Sequence, residues 1–157
     1  MTSNIVDEST APGLYRDTRN GARALVYIGW ENGAHFTAPL VHAHRNRWSR
    51  GEPRAPLHQH EVTQEAFVPL PAEGFYTLPE TLEFGGCRWL CGAIVQLGYN
   101  EHGDGLVFVA EWEVEPLKGG GSTLHFGSRG KRIDDALLRR LVWAPVLPVQ
   151  PVQEENG

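Results

Sequence analysis

No run of about 18 apolar residues occurs in the chain, so no segment reads as a membrane-spanning helix. The first ten residues, MTSNIVDEST, lack both a basic start and an apolar stretch, which argues against a signal peptide and for a cytoplasmic protein. Lysine is scarce, with 2 Lys against 12 Arg, and the net charge is −5. That balance lacks the basic excess of a nucleic-acid binder. There is no Gly-x-Ser-x-Gly elbow and no phosphate loop; GGGS at 119–122 has no following Lys and reads as a flexible connection. No internal repeat is visible. Cysteine is limited to Cys87 and Cys91. On one extended strand they would face the same way about 13 Å apart, too far for a disulfide. They are expected to be reduced, buried and small.

What is present fits one domain. At 157 residues the chain is long enough for a single core. Its 41% apolar and 21% charged content is that of a globular protein. Residues 1–12 read as a loose tail, 13–147 as one β-rich domain and 148–157 as an extended Pro-rich tail. The segments 22–30 and 34–43 form an expected hairpin around Glu31–Asn32–Gly33. Pro39 has no N–H to donate, so the second strand should be an edge or carry a bulge. Pro69, Pro71 and Pro79 divide 66–79 into short extended pieces in which a central strand is not expected. CRWLCGAIVQLG, 87–98, alternates so that Cys87, Trp89, Cys91, Ala93, Val95 and Leu97 share an apolar face. It should pair with 106–114, where Glu111, Glu113 and Glu115 oppose Phe108, Ala110, Trp112 and Val114. A short strand is expected near 124–126. Residues 134–143 carry helical spacing in Ile133, Leu137, Leu138, Leu141 and Val142, with Asp134 and Asp135 first and Arg139 and Arg140 late. The fold class is therefore mainly β: a small antiparallel β-barrel or sandwich with one C-terminal α-helix.

The stretch PLHQHEVTQE, 56–65, concentrates the chemistry. Alternation on a strand puts His58 and His60 on one face about 6.6 Å apart. Two imidazoles and a carboxylate make an ordinary ligand set for zinc or iron(II). Glu65 joins them only if the chain turns within 61–64. His42 and His44 form a second His-x-His pair, which belongs either to a four-imidazole site or to a solvent-facing strand end. His125 reads as an ordinary half-exposed strand residue.

Gly51, a six-residue gap, His58-x-His60, four residues and Glu65 together resemble the first motif of the cupin superfamily over residues 51–74. Cupins are small β-barrels in which such a motif holds a metal. The resemblance implies a divalent transition metal (Zn, Fe, Ni or Mn) on His58, His60 and Glu65. Laid on the second cupin motif, residues 85–100 match at Gly85 and Asn100. Cys91, Ala93 and Gln96 stand where that motif has Pro, Gly and the metal-binding His. Gln96, or His102 in the loop beyond it, is then the candidate for a further ligand.

Four arginines crowd into HAHRNRWSRGEPR. Guanidinium groups pair with carboxylate or phosphate and stack on rings, so Arg45, Arg47, Trp48 and Arg50 are candidates for binding an anion or a partner. The bland reading is an exposed Arg-rich loop. The glutamate row with Trp112, or the Pro-rich tail, offers an alternative protein-binding surface. Two functional expectations follow. One is a non-catalytic accessory module, of inhibitor or immunity type, that binds another protein or a small anionic molecule. The alternative is a cupin-like metal protein: a dioxygenase, an isomerase or a small-molecule sensor.

Overall fold

The computed structural model describes residues 10–43, 46–114, 122–127 and 129–144, with the backbone alone for residue 59 and for 111–114 and 122–125. Among them no helix is long and apolar enough to cross a membrane.

β1 (Gly13–Asp17) and β2 (Ala24–Glu31) pair antiparallel, from Gly13↔Ile28 to Asp17↔Ala24. β3 (Ala34–Ala38) returns along β2 through a two-residue turn. Asn32 and Gly33 make that turn with φ of 53° and 76°. Two positive φ values match the right-handed twist of a tight hairpin, and Asn-Gly is the pair that adopts them at least cost. The expected strand 34–43 is broken at Pro39. Its ladder ends at Ala38, and the chain leaves as β4 (Leu40–His42) to pair with β5 (Trp48–Arg50) in a separate ribbon. β6 (Ala55–Leu57) and β7 (Phe67–Pro69) complete a five-stranded sheet in the order β6-β3-β2-β1-β7. The strand after Gly33 is thus interior, and the edges fall to β6 and β7, which carry Pro56 and Pro69.

The second sheet corrects three expectations. First, β8 (Gly74–Thr77), cut out of the proline-rich stretch, lies between two neighbours. Pro71 and Pro79 stand just outside it, so both of its edges keep their N–H donors. Second, 87–98 is two strands. After β9 (Leu82–Phe84), β10 (Cys87–Trp89) closes a small hairpin on it. A turn at 90–93, with Gly92 at φ 84°, then redirects the chain into β11 (Ile94–Tyr99). Cys87 and Cys91 are therefore exposed free thiols rather than core residues, and Trp89 is half-buried. The hydrophobic alternation continued across a turn that only Gly92 betrays. The main hairpin survives: β12 (Gly105–Val114) runs antiparallel to β11 from Val95↔Val109 to Tyr99↔Gly105. β13 (Ser122–Phe126) and β14 (Lys131–Arg132) pair with β12.

Third, the helix is shorter than expected. α1 (Asp135–Arg140) starts at an Asp134 cap, whose side chain accepts from the Leu137 N–H at 2.8 Å. It stops because Leu141 turns extended, at φ −57° and ψ 137°. Val142 and Trp143 form β15, paired to β8. Val142 consequently lies exposed, while Ile133, Leu137 and Leu138 are buried.

The core sits between the sheets. Val95, Leu97 and Val107 are 0% exposed and pack in one cluster with Leu25 of the first sheet and Leu138 of the helix. Each such aliphatic stabilises the fold by about 1.5–3 kcal/mol through burial. A second cluster gathers Tyr15, Ile28, Leu57 and Phe67. The domain is mainly β and antiparallel with one short C-terminal helix. Both large sheets have open strand orders, with no closed barrel among the described residues.

Candidate functional site

The histidine segment does not form the strand expected of it. His58 follows β6, and His60 lies in a 3-10 turn, Gln59–Glu61. The Glu61 carboxylate accepts the His58 N–H at 2.9 Å and so takes the local capping role. The two exposed imidazoles stack, with centroids 5.7 Å apart and planes 9° from parallel. An imidazole lone pair lies in its ring plane, so rings stacked in this way do not aim at a common point. Glu65 is exposed, and its carbonyl accepts from Thr18 Oγ1 at 2.7 Å. His102 lies exposed in the loop after β11, its Nδ1 3.2 Å from the Arg23 carbonyl. Gln96 is buried on β11 and accepts from Asn46 Nδ2 at 3.2 Å. No group of three or more His, Cys, Asp or Glu residues that could hold a metal occurs among the described residues.

The arginine segment, in contrast, builds a cleft. Arg45 and His44 lie outside the described residues, as do residues 145–157 and the side chains of Glu111, Trp112, Glu113, Glu115 and His125. The β4–β5 ribbon closes at Ala43, whose N–H donates to the Arg47 carbonyl at 2.8 Å. This returns the chain so that Arg47, Trp48 and Arg50 wall a cavity of about 560 Å³ against Leu14 and Leu70. Trp48 is fixed at both ends. Its Nε1 donates to the Tyr99 carbonyl at 2.8 Å, and the His42 ring lies 4.1 Å from its own. The Arg50 guanidinium sits 4.6 Å above the Tyr27 ring, a cation–π contact that holds it at the rim.

Glu73, which no motif singled out, lines both this cavity and a smaller one of about 330 Å³ that also has Phe75, Gln96 and Trp143 in its wall; Arg47 likewise lines both. Its Oε2 accepts from the Trp48 N–H at 3.3 Å. Its Oε1 is buried with no hydrogen-bond partner among the described residues. Burial pushes the carboxyl above its ordinary range, against the pull of the Trp48 N–H and of the Arg47 and His42 charges. The loop that carries it is braced. Tyr76 Oη donates to the Ala72 carbonyl at 2.7 Å, and Tyr99 Oη donates to that of Pro71. Burial raises both phenols, so they remain protonated donors. The legible signal was an acid alone in PLPAEGFY, between prolines and aromatics, where a solvated loop would carry more polar company.

Trp143 is 55% exposed and stands edge-on to Tyr76 at 5.1 Å and 88°. It lies so close over β8 that a Cβ on Gly74 would stand 3.1 Å from its ring.

A second cluster of charge is paired within itself and borders a cavity of about 460 Å³. Arg16, 4% exposed, grips both Asp135 oxygens at 2.8 Å and also donates to the Gly103 carbonyl. Asp104 meets Arg23 at 2.7 Å and Arg132 at 3.1 Å, and accepts from Asn100 Nδ2. The Arg16 hydrogen bonds hold the Asp135 carboxyl below its ordinary range. For Asp104, burial pushes upward, but the Asn100 bond and the surrounding arginines prevail and hold it low. This network ties α1 and the loop after β11 to the first sheet.

Comparison of the chain with family models, with curated proteins and with solved structures gives no match.

Proposed function

We propose that this chain is a non-catalytic, sandwich-like binding module that takes a small anionic molecule in the cleft of Arg47, Trp48 and Arg50. The observation that carries this reading is that two arginines and a tethered tryptophan share the wall of one cavity of about 560 Å³. Arginine forks match carboxylate and phosphate geometry. A concave site with a few fixed polar groups on an apolar wall is the usual form of a small-molecule site. Thermal unfolding with inorganic phosphate, acetate and citrate, each against sodium chloride of equal ionic strength, tests the reading. A ligand at 100 times its dissociation constant should stabilise the protein by about 2.7 kcal/mol. Arg47→Ala combined with Arg50→Ala should abolish the shift while costing the unliganded protein no more than about 1 kcal/mol, chiefly the lost cation–π contact. No shift with any anion would sink the proposal.

A second reading, docking of another protein, is favoured by one observation. Ile94 and Val142, 44% and 54% exposed, flank Thr77 across three neighbouring strands. The cupin-like alternative rests on His58, His60 and Glu65. It predicts about one equivalent of zinc, iron, nickel or manganese in the purified protein, lost in His58→Ala and His60→Ala.

A further inference from the structure

The two cavities share Arg47 and Glu73 in their walls, and each offers different chemistry. The larger lobe offers cations. The smaller offers an exposed flat ring, Trp143, beside a carboxyl that is not fully hydrogen-bonded. Resting on the anion-binding reading above, we propose that the ligand is an anionic sugar. Its ring lies on Trp143 in the smaller lobe, one hydroxyl bonds the Glu73 carboxyl, and its phosphate or carboxylate faces Arg47 and Arg50.

Three considerations select this class. A buried acceptor left unpaired is rare and calls for an explanation. Oε1 is closed to solvent in this conformation, so the carboxyl must turn about its last torsion, which is broad and soft, for a ligand hydroxyl to reach it from the lobe. The ligand group must suit a carboxyl that burial makes easier to protonate. A hydroxyl, which both donates and accepts, suits either protonation state. An ammonium or guanidinium suits only the ionised state and would be repelled by Arg47 and Arg50. A sugar ring combines such hydroxyls at its edge with an apolar C–H face that covers an aromatic ring. The braced loop and the packed Trp143 hold these groups in place before binding, which limits the ordering cost.

Calorimetric titration near neutral pH with inorganic phosphate, glucose, glucose 6-phosphate, ribose 5-phosphate and guanosine monophosphate tests the proposal. Glucose 6-phosphate or ribose 5-phosphate should bind about tenfold or more tighter than inorganic phosphate. Trp143→Ala should erase that increment and leave phosphate affinity unchanged, while Trp143→Phe should keep most of it. Glu73→Ala should weaken the sugar phosphates alone, and Arg47→Ala should weaken them and phosphate together. The unliganded melting temperature of each variant separates lost binding from lost folding. If both sugar phosphates bind no tighter than inorganic phosphate, the sugar assignment is overturned and the anion site stands. If guanosine monophosphate binds tightly while ribose 5-phosphate does not, the ring is a base and the assignment is likewise overturned. If neither phosphate nor any sugar phosphate binds, both readings fall.

Discussion

Two regions of this molecule set carboxylates among arginines, and they differ in what is left over. In the network of Arg16, Asp135 and Asp104, each carboxylate oxygen has a cation or an amide against it. Around Glu73, one oxygen meets a backbone N–H and the other meets nothing described. The same residue types thus serve opposite ends. A satisfied network holds parts of the chain together, because taking a member away strands a charge in low dielectric. An unsatisfied one carries a standing cost that a ligand can relieve.

The largest effect should come from breaking the satisfied side. Arg16→Ala removes the bidentate hold on α1 and leaves the Gly103 carbonyl without that donor. It should cost about 2–4 kcal/mol of stability, below the range for two fully buried partners because Asp135 is half exposed. Chemical denaturation would measure it; a cost near zero would mean that packing alone holds the helix. Asp104→Asn keeps the shape and removes the charge that Arg23 and Arg132 surround, and should cost about 1–3 kcal/mol.

pH separates the regions by sign. Asp104 and Asp135 have carboxyls held below the usual 3.8. Their contribution is fully present above that value and is lost as pH falls through their folded-state values. Glu73 is raised above 4.5. Its contribution is present below that value and is lost as pH rises through its folded-state value. The smallest effect follows: without ligand, Glu73→Gln should stabilise the protein by under about 1 kcal/mol at neutral pH. That gain should shrink as pH drops toward 4.5. A stability loss at neutral pH would show that the ionised carboxylate is structural and would erase the contrast between the regions.

Much of the fold was legible because local rules bind tightly where they apply. Asn32–Gly33 has few alternatives to a tight hairpin turn. The alternation Val95, Leu97 opposite Val107, Val109 has one face to bury. Asp134 before Leu137 and Leu138 marks a helix start. The errors came where two elements share one pattern. CRWLCGAIVQLG alternates without interruption, so the turn at Gly92, and with it the exposure of both cysteines, was hidden. Val142 fits the helical stripe, yet pairing with β8 takes it into a strand.

For the site, the sequence alone determined a cluster of arginines around Trp48 and a conspicuous histidine pair. Residue identity sets charge, donors and acceptors, and those are local facts. Which cluster walls a cavity was decided by the tertiary structure. Arg47, Trp48 and Arg50 become a cleft only because β4–β5 folds back onto a loop 25 residues further on, where Glu73 accepts from Trp48. His58 and His60 stack at a surface turn because Glu61 caps the segment locally. Burial has only a faint local signature, here an acid alone among prolines and aromatics; the folded chain braces that loop through Tyr76 and Tyr99 and buries one Glu73 oxygen. Desolvation depends on atoms brought from distant positions, so only the folded chain decides that this carboxyl loses its water on one side.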